Sequence, residues 1–261
     1  MKRALHAEWT KLRTVPSTGW LLLATIVATA GIGAAIACAI HLPACRPGLP
    51  CQVDTTRIAL YGTRVGQVTV AVLAVLTVAG EYATGLVHLT LTAVPRRYQA
   101  FAAKAVATVI AATGAGIAAA AAAIAAGAWI FAARGYTVTR GYGHSLTDPA
   151  TMRAAAGTVI YFGLIALLAA GIAAVIRNGA AALSAVLALL YAFPLAAALV
   201  TDATWQRRLH QWSPTDAGLN IQATTGMADL PLRPWTGLAV LTAWAAAAAM
   251  LGALVFRYRD A

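Results

Sequence analysis

The sequence predicts an all-α, polytopic integral membrane protein, on three observations. Hydrophobic residues fill 61% of the 261 positions and charged residues only 10%, where roughly 25% charged is usual in a soluble domain. The apolar residues gather into about six runs, each near or above the ~20 helical residues that cross a hydrocarbon core about 30 Å thick. The basic residues collect in the breaks between those runs. The net charge of +11 is therefore read as membrane orientation and attraction to anionic lipid headgroups, not as a nucleic-acid surface. The excess of Arg over Lys and the abundance of Ala suggest a GC-rich bacterial genome.

Residues 1–17 form the first element. Leu5, Trp9 and Leu12 recur at helical spacing while Lys2, Arg3, His6, Lys11 and Arg13 occupy other faces. Such a helix lies in the headgroup plane, with Trp9 at the interface and Lys11 and Arg13 toward phosphates. A basic tail that only sets topology is the alternative. Pro16 breaks the helix before the first crossing. A secretory signal fits poorly, because the basic stretch is long and the apolar run exceeds the usual 7–15 residues.

Spans follow at 18–40, 58–79, 105–133, 154–176, 179–200 and 235–256. The break after the first holds Cys45 and Cys51 around Pro47, Gly48 and Pro50. In an oxidising exterior these two close a small disulfide loop, or they stay free thiols. No metal site is expected, since His41 is the sole nearby imidazole. In the second span Arg64 and Gln67 lie one turn apart near Tyr61. They are candidate pathway residues, although Arg64 is also close enough to the span's end to reach the interface. The third span is nearly pure Ala with Gly114, Gly116 and Gly127, which predicts close helix packing, within the subunit or across a dimer. Pro194 in the fifth span is a third pathway candidate, as a hinge or a tolerated kink. Residues 201–234 read as an outer loop anchored by Trp205, Trp212 and Trp235 at the interface.

Six spans put both termini on one side. The inner breaks are short, all three Lys fall in them, and five of the eight acids lie on the other side. Both termini and the 81–98 segment are thereby expected in the cytoplasm. That segment is polar and basic, with Pro95, Arg96 and Arg97 at its end. Pro95 would stop a helix begun near Tyr82, leaving Leu86, Leu89 and Ala93 on one stripe to dock in a partner's groove. Glu81 stands where it can pair with a cation of the N-terminal helix. The alternative is a solvated loop whose Arg pair only fixes topology.

No enzyme constellation emerges. The chain lacks Gly-x-x-x-x-Gly-Lys-Ser/Thr, His-Glu-x-x-His and Gly-x-Ser-x-Gly, and no carboxylate lies in a span interior to relay protons. A channel, carrier or anchor driven from outside remains.

Three pieces carry a specific resemblance: Glu8-Trp9-Thr10-Lys11-Leu12-Arg13-Thr14 at the start, GEYATGLVHLTLTAVPRR from Gly80 to Arg97 with Lys104 following, and Arg257-Tyr258-Arg259-Asp260-Ala261 at the end. In this order around six spans they resemble a bacterial ATP-binding-cassette exporter permease of the type-2 class, over nearly the whole chain. The resemblance implies a dimeric permease in the cytoplasmic membrane, paired with a separate ATPase subunit that holds ATP and Mg. It also implies a coupling helix after the second span, carried by Glu81, Tyr82, Gly85, Leu86, Leu89, Pro95, Arg96 and Arg97, and a partly helical outer loop before the sixth span that gates the exit. No cofactor or metal is expected on this chain. The competing reading is a non-transporting membrane anchor or sensor that uses the same segment to recruit a cytoplasmic partner.

Overall fold

Among the residues that the computed structural model describes (2–42, 53–83, 97–137, 142 and 148–258, with the side chains of 2–4, 81–83, 97–98 and 257–258 outside that description), every regular element is helical. Six helical stretches are long and apolar enough to cross a membrane, which makes this a multi-pass membrane protein. In hydrocarbon each backbone N–H and C=O must find its partner inside the chain, and helices meet that demand within each span.

Helix α1 (Lys2–Thr14) ends where Val15 turns extended ahead of Pro16, at φ −84° and ψ 114°. A proline ring disfavours the α conformation in the residue before it, yet suits the first position of the next helix. The first span, α2 (Pro16–Ala39), starts there, two residues before the expected limit. The second is compound. A short α3 (Thr55–Ala59) capped by Asp54 passes through a 3-10 turn, Leu60–Gly62, into α4 (Thr63–Ala83). The third, α5 (Arg97–Ala133), begins eight residues before the expected limit and at 37 residues is longer than a bilayer requires, so it projects beyond the hydrocarbon.

The fourth span, α6 (Pro149–Ile176), and the fifth, α7 (Gly179–Leu199), are joined by a two-residue turn. Arg177 takes the left-handed conformation at φ 60°, its N–H returning to the Ala173 carbonyl, and the Asn178 side chain accepts from the Ala181 N–H. Helix α7 continues through Pro194. Two short helices, α8 (Ala203–Trp212) and α9 (Pro214–Leu219), precede the sixth span, α10 (Pro234–Tyr258).

Helix α6 is the centre of the bundle. It is flanked by α10, α5, α4 and α7, and α2 lies across the seam between α4 and α5. Its Tyr161, Phe162, Ile165 and Leu168 are fully buried. Outward-facing apolar side chains such as Trp20, Val27, Ile117, Leu199 and Met250 are exposed, as expected of surfaces that meet lipid. Helix contact in lipid depends on small residues. A Cβ at Gly171 of α6 would come within 2.4 Å of the Ala248 carbonyl carbon of α10, and one at Gly33 of α2 within 1.9 Å of the Ala59 carbonyl oxygen. Gly116 and Gly127 of the Ala-rich span likewise pack inside the chain, against Phe162 and Ala59, but Gly114 meets nothing within 4 Å.

Candidate functional site

The bundle carries a polar assembly at each end. At the end that holds α1, Leu12 is buried against Ala107 and Ala111 of α5, with Leu5 and Trp9 packed alongside. This apolar stripe lays α1 across α5 and points Glu8 inward. Glu8 is 5% exposed and Lys104 of α5 is 3% exposed. One carboxylate oxygen of Glu8 accepts from Lys11 Nζ at 2.9 Å, and the other lies 3.4 Å from Lys104 Nζ. Lys104 also donates to the Thr77 carbonyl of α4 at 3.2 Å. Two buried opposite charges with further hydrogen bonds thus fasten α1, α4 and α5 together.

The clamp stands on the stems of the proposed coupling segment, since α4 ends at Ala83 and α5 starts at Arg97. Gly85, Leu86, Leu89, Pro95 and Arg96 lie outside the described residues, as do the side chains of Glu81, Tyr82 and Arg97. The expected pairing of Glu81 with a cation of α1 falls there too. The ion pair that is described runs the other way, from the carboxylate of α1 to a cation of α5. Of the interfacial residues, Trp9 is half-buried, Lys11 is tied to Glu8, and Arg13 is exposed.

At the opposite end, residues 213–224 are buried without interruption. The stretch expected as an outer loop therefore sends a segment into the bundle, and only its flanks face outward, with Trp205, Trp212 and Trp235 more than half exposed. Local chemistry starts it: Ser213 accepts from the Asp216 N–H at 3.0 Å and Pro214 occupies the first helical position. Glycines make room for it. A Cβ at Gly157 would sit 2.1 Å from Ile221, and one at Gly237 would sit 2.1 Å from the Ala217 carbonyl oxygen.

Polar contacts then hold it on every side. Arg64 of α4 donates to Asp216 at 3.0 Å, and His210 Nδ1 lies 2.9 Å from the other oxygen of that carboxylate. Gln222 donates to Thr63 of α4 and Thr158 of α6, both at 3.0 Å. Thr215 donates to the Leu190 carbonyl of α7 at 2.8 Å. Asp54 accepts from the Thr224 hydroxyl at 2.7 Å and from the N–H groups of Thr224 and Thr225. Arg153 donates to the Ala223 carbonyl at 2.6 Å.

The three pathway candidates part company here. Arg64 turns to the buried segment, its guanidinium 5.7 Å from the Tyr61 ring, and its side chain stays partly exposed. Gln67 is fully buried. Its carbonyl oxygen accepts from Tyr161, and its amide nitrogen has no acceptor among the described residues. Pro194 is linked only indirectly, through Tyr191 one turn earlier, which donates to the Arg64 carbonyl. Sequence reasoning missed Asp216, Gln222 and Asp54. The Ser213-Pro214-Thr215-Asp216 start signal was available to it, whereas the partners, 159 residues apart for Gln222 and Thr63, were not.

Cys45 and Cys51 lie outside the described residues, and Cys38 is an exposed free thiol. No group of three or more metal-ligating side chains occurs among the described residues. The described polar groups tie helices to one another through hydrogen bonds inside the bundle. No protein-family model and no curated sequence matches the chain.

Proposed function

We propose that this protein is the membrane-spanning permease subunit of an ATP-driven exporter of the type-2 ATP-binding-cassette class, acting as a dimer with separate ATPase subunits in a bacterial cytoplasmic membrane. The observation that carries the reading is the Glu8–Lys104–Thr77 clamp. A cytoplasmic motor that pushes on residues 81–98 pushes on the stems of α4 and α5, and the clamp makes those stems move with α1 as one body. At the far end the same α4 carries Arg64 and Thr63, which hold Asp216 and Gln222 of the buried segment. Force on one end of α4 is thus delivered to a plug at the other. ATP and Mg are held by the partner, and this chain supplies the path and the lever. Few polar groups line the spans, which favours a small hydrophobic or amphipathic cargo over a sugar.

The test is co-purification with the candidate ATPase and measurement of its hydrolysis rate. Wild-type permease is expected to bind the ATPase and raise its activity. Leu86→Asp with Leu89→Asp is expected to insert normally and lose the complex. Lys104→Met is expected to keep the complex and lose the stimulation. Unchanged binding by the double variant would remove the coupling assignment. Binding with no effect on hydrolysis would favour the anchor reading.

A further inference from the structure

Between α1, α2 and α5 runs an open groove of about 470 Å³, within the range of small-molecule sites. It lies on the flank of α1 away from the Glu8 clamp. Its walls are apolar, including Trp9, Leu22, Ile110 and Ala115, and two glycines, Gly19 of α2 and Gly114 of α5, contribute to its lining. A Cβ built on either glycine meets nothing within 4 Å. These glycines are thus not required by close helix contact, unlike Gly171 or Gly33. They leave a channel that the described chain does not fill. Arg13, exposed and permanently charged, stands at its rim in the last turn of the helix that lies across the bundle's edge.

We propose that this groove is a binding site for an anionic phospholipid from the leaflet on the N-terminal side. Its phosphate pairs with Arg13 and the upper part of one acyl chain lies over Gly19 and Gly114. Charge and geometry both favour this occupant. A guanidinium fork matches phosphate oxygens, the Trp9 ring suits the boundary between headgroup and hydrocarbon, and the groove opens on the lipid side beside exposed Val15 and Ile110. A second copy docking the same patch about a two-fold axis beside Arg13 would set like charge against like. The inference rests on the membrane placement alone and stands whether or not an ATPase drives the protein.

Native mass spectrometry of the full chain released from bilayers of mixed phosphatidylglycerol and phosphatidylcholine tests it. Wild type is expected to retain phosphatidylglycerol preferentially. Arg13→Gln should cut that preference about fivefold, the effect of one cation near an anionic surface. Gly114→Leu, and independently Gly19→Leu, should fill the groove and lose the retained lipid while keeping the melting temperature of wild type. Equal retention of the two lipids by wild type, or undiminished phosphatidylglycerol in both leucine variants, would overturn the proposal. So would a change from dimer to monomer in those variants with the lipid count unaltered, which would give the groove to a second copy.

Discussion

Glu8 is the single carboxylate of α1, and it is buried where a lone charge would be costly. Removing either member of the pair takes away a charged partner, although Glu8 keeps Lys11 and Lys104 keeps the Thr77 carbonyl. Glu8→Gln and Lys104→Met are each expected to destabilise the protein by about 2 kcal/mol, and the double variant by clearly less than the sum, in thermal or denaturant unfolding in detergent. Additive losses would show that the two charges do not act on one another. Gln222 is the corresponding test of the buried segment. Gln222→Ala removes hydrogen bonds to two buried hydroxyls and is expected to cost about 2 kcal/mol. Glu8 and Lys104 stand in or beside the stretches that carry the family resemblance, but in the sequence Trp9, Lys11 and Arg13 stand out on α1 and Glu81 is the residue expected in the ion pair. The pairing of Glu8 with Lys104 was not legible, because 96 residues separate them and nothing in either stretch names the other.

The existence of six spans was legible, because a bilayer imposes length and apolarity on each helix independently of its neighbours, whereas helix starts were less so, α5 beginning eight residues early. Residues 213–224 show where that logic stops. Their polarity reads as a water-facing loop, yet Ser213, Thr215, Asp216, Gln222 and Thr224 all find hydrogen-bond partners, on α4, α6, α7 and α8, at the cap of α3 or within the segment, and their burial then costs little. Glycine roles divide in the same way. In sequence Gly114 and Gly116 look alike, but Gly116 touches Phe162 whereas Gly114 faces open space, which only the packing reveals. Gly171→Val is accordingly expected to force α6 from α10 and destabilise by about 1–3 kcal/mol or more, while Gly114→Ala leaves stability unchanged or slightly improved. Equal effects in an unfolding assay would contradict the helix arrangement.

For the molecule as a whole, the two polar assemblies sit at opposite ends of the bundle. Helix α4 reaches both, through Thr77 at one end and Thr63 and Arg64 at the other. The proposed function needs the first end to face the ATP-containing side and the second to face out. Site-directed labelling decides that most directly, in a chain with Cys38, Cys45 and Cys51 replaced by Ser and single cysteines placed at Arg96 and Asp229. A membrane-impermeant maleimide is expected to label Asp229→Cys on intact cells and Arg96→Cys only after permeabilisation. Labelling of Arg96→Cys on intact cells would put the proposed coupling segment out of reach of any ATPase and contradict the exporter reading.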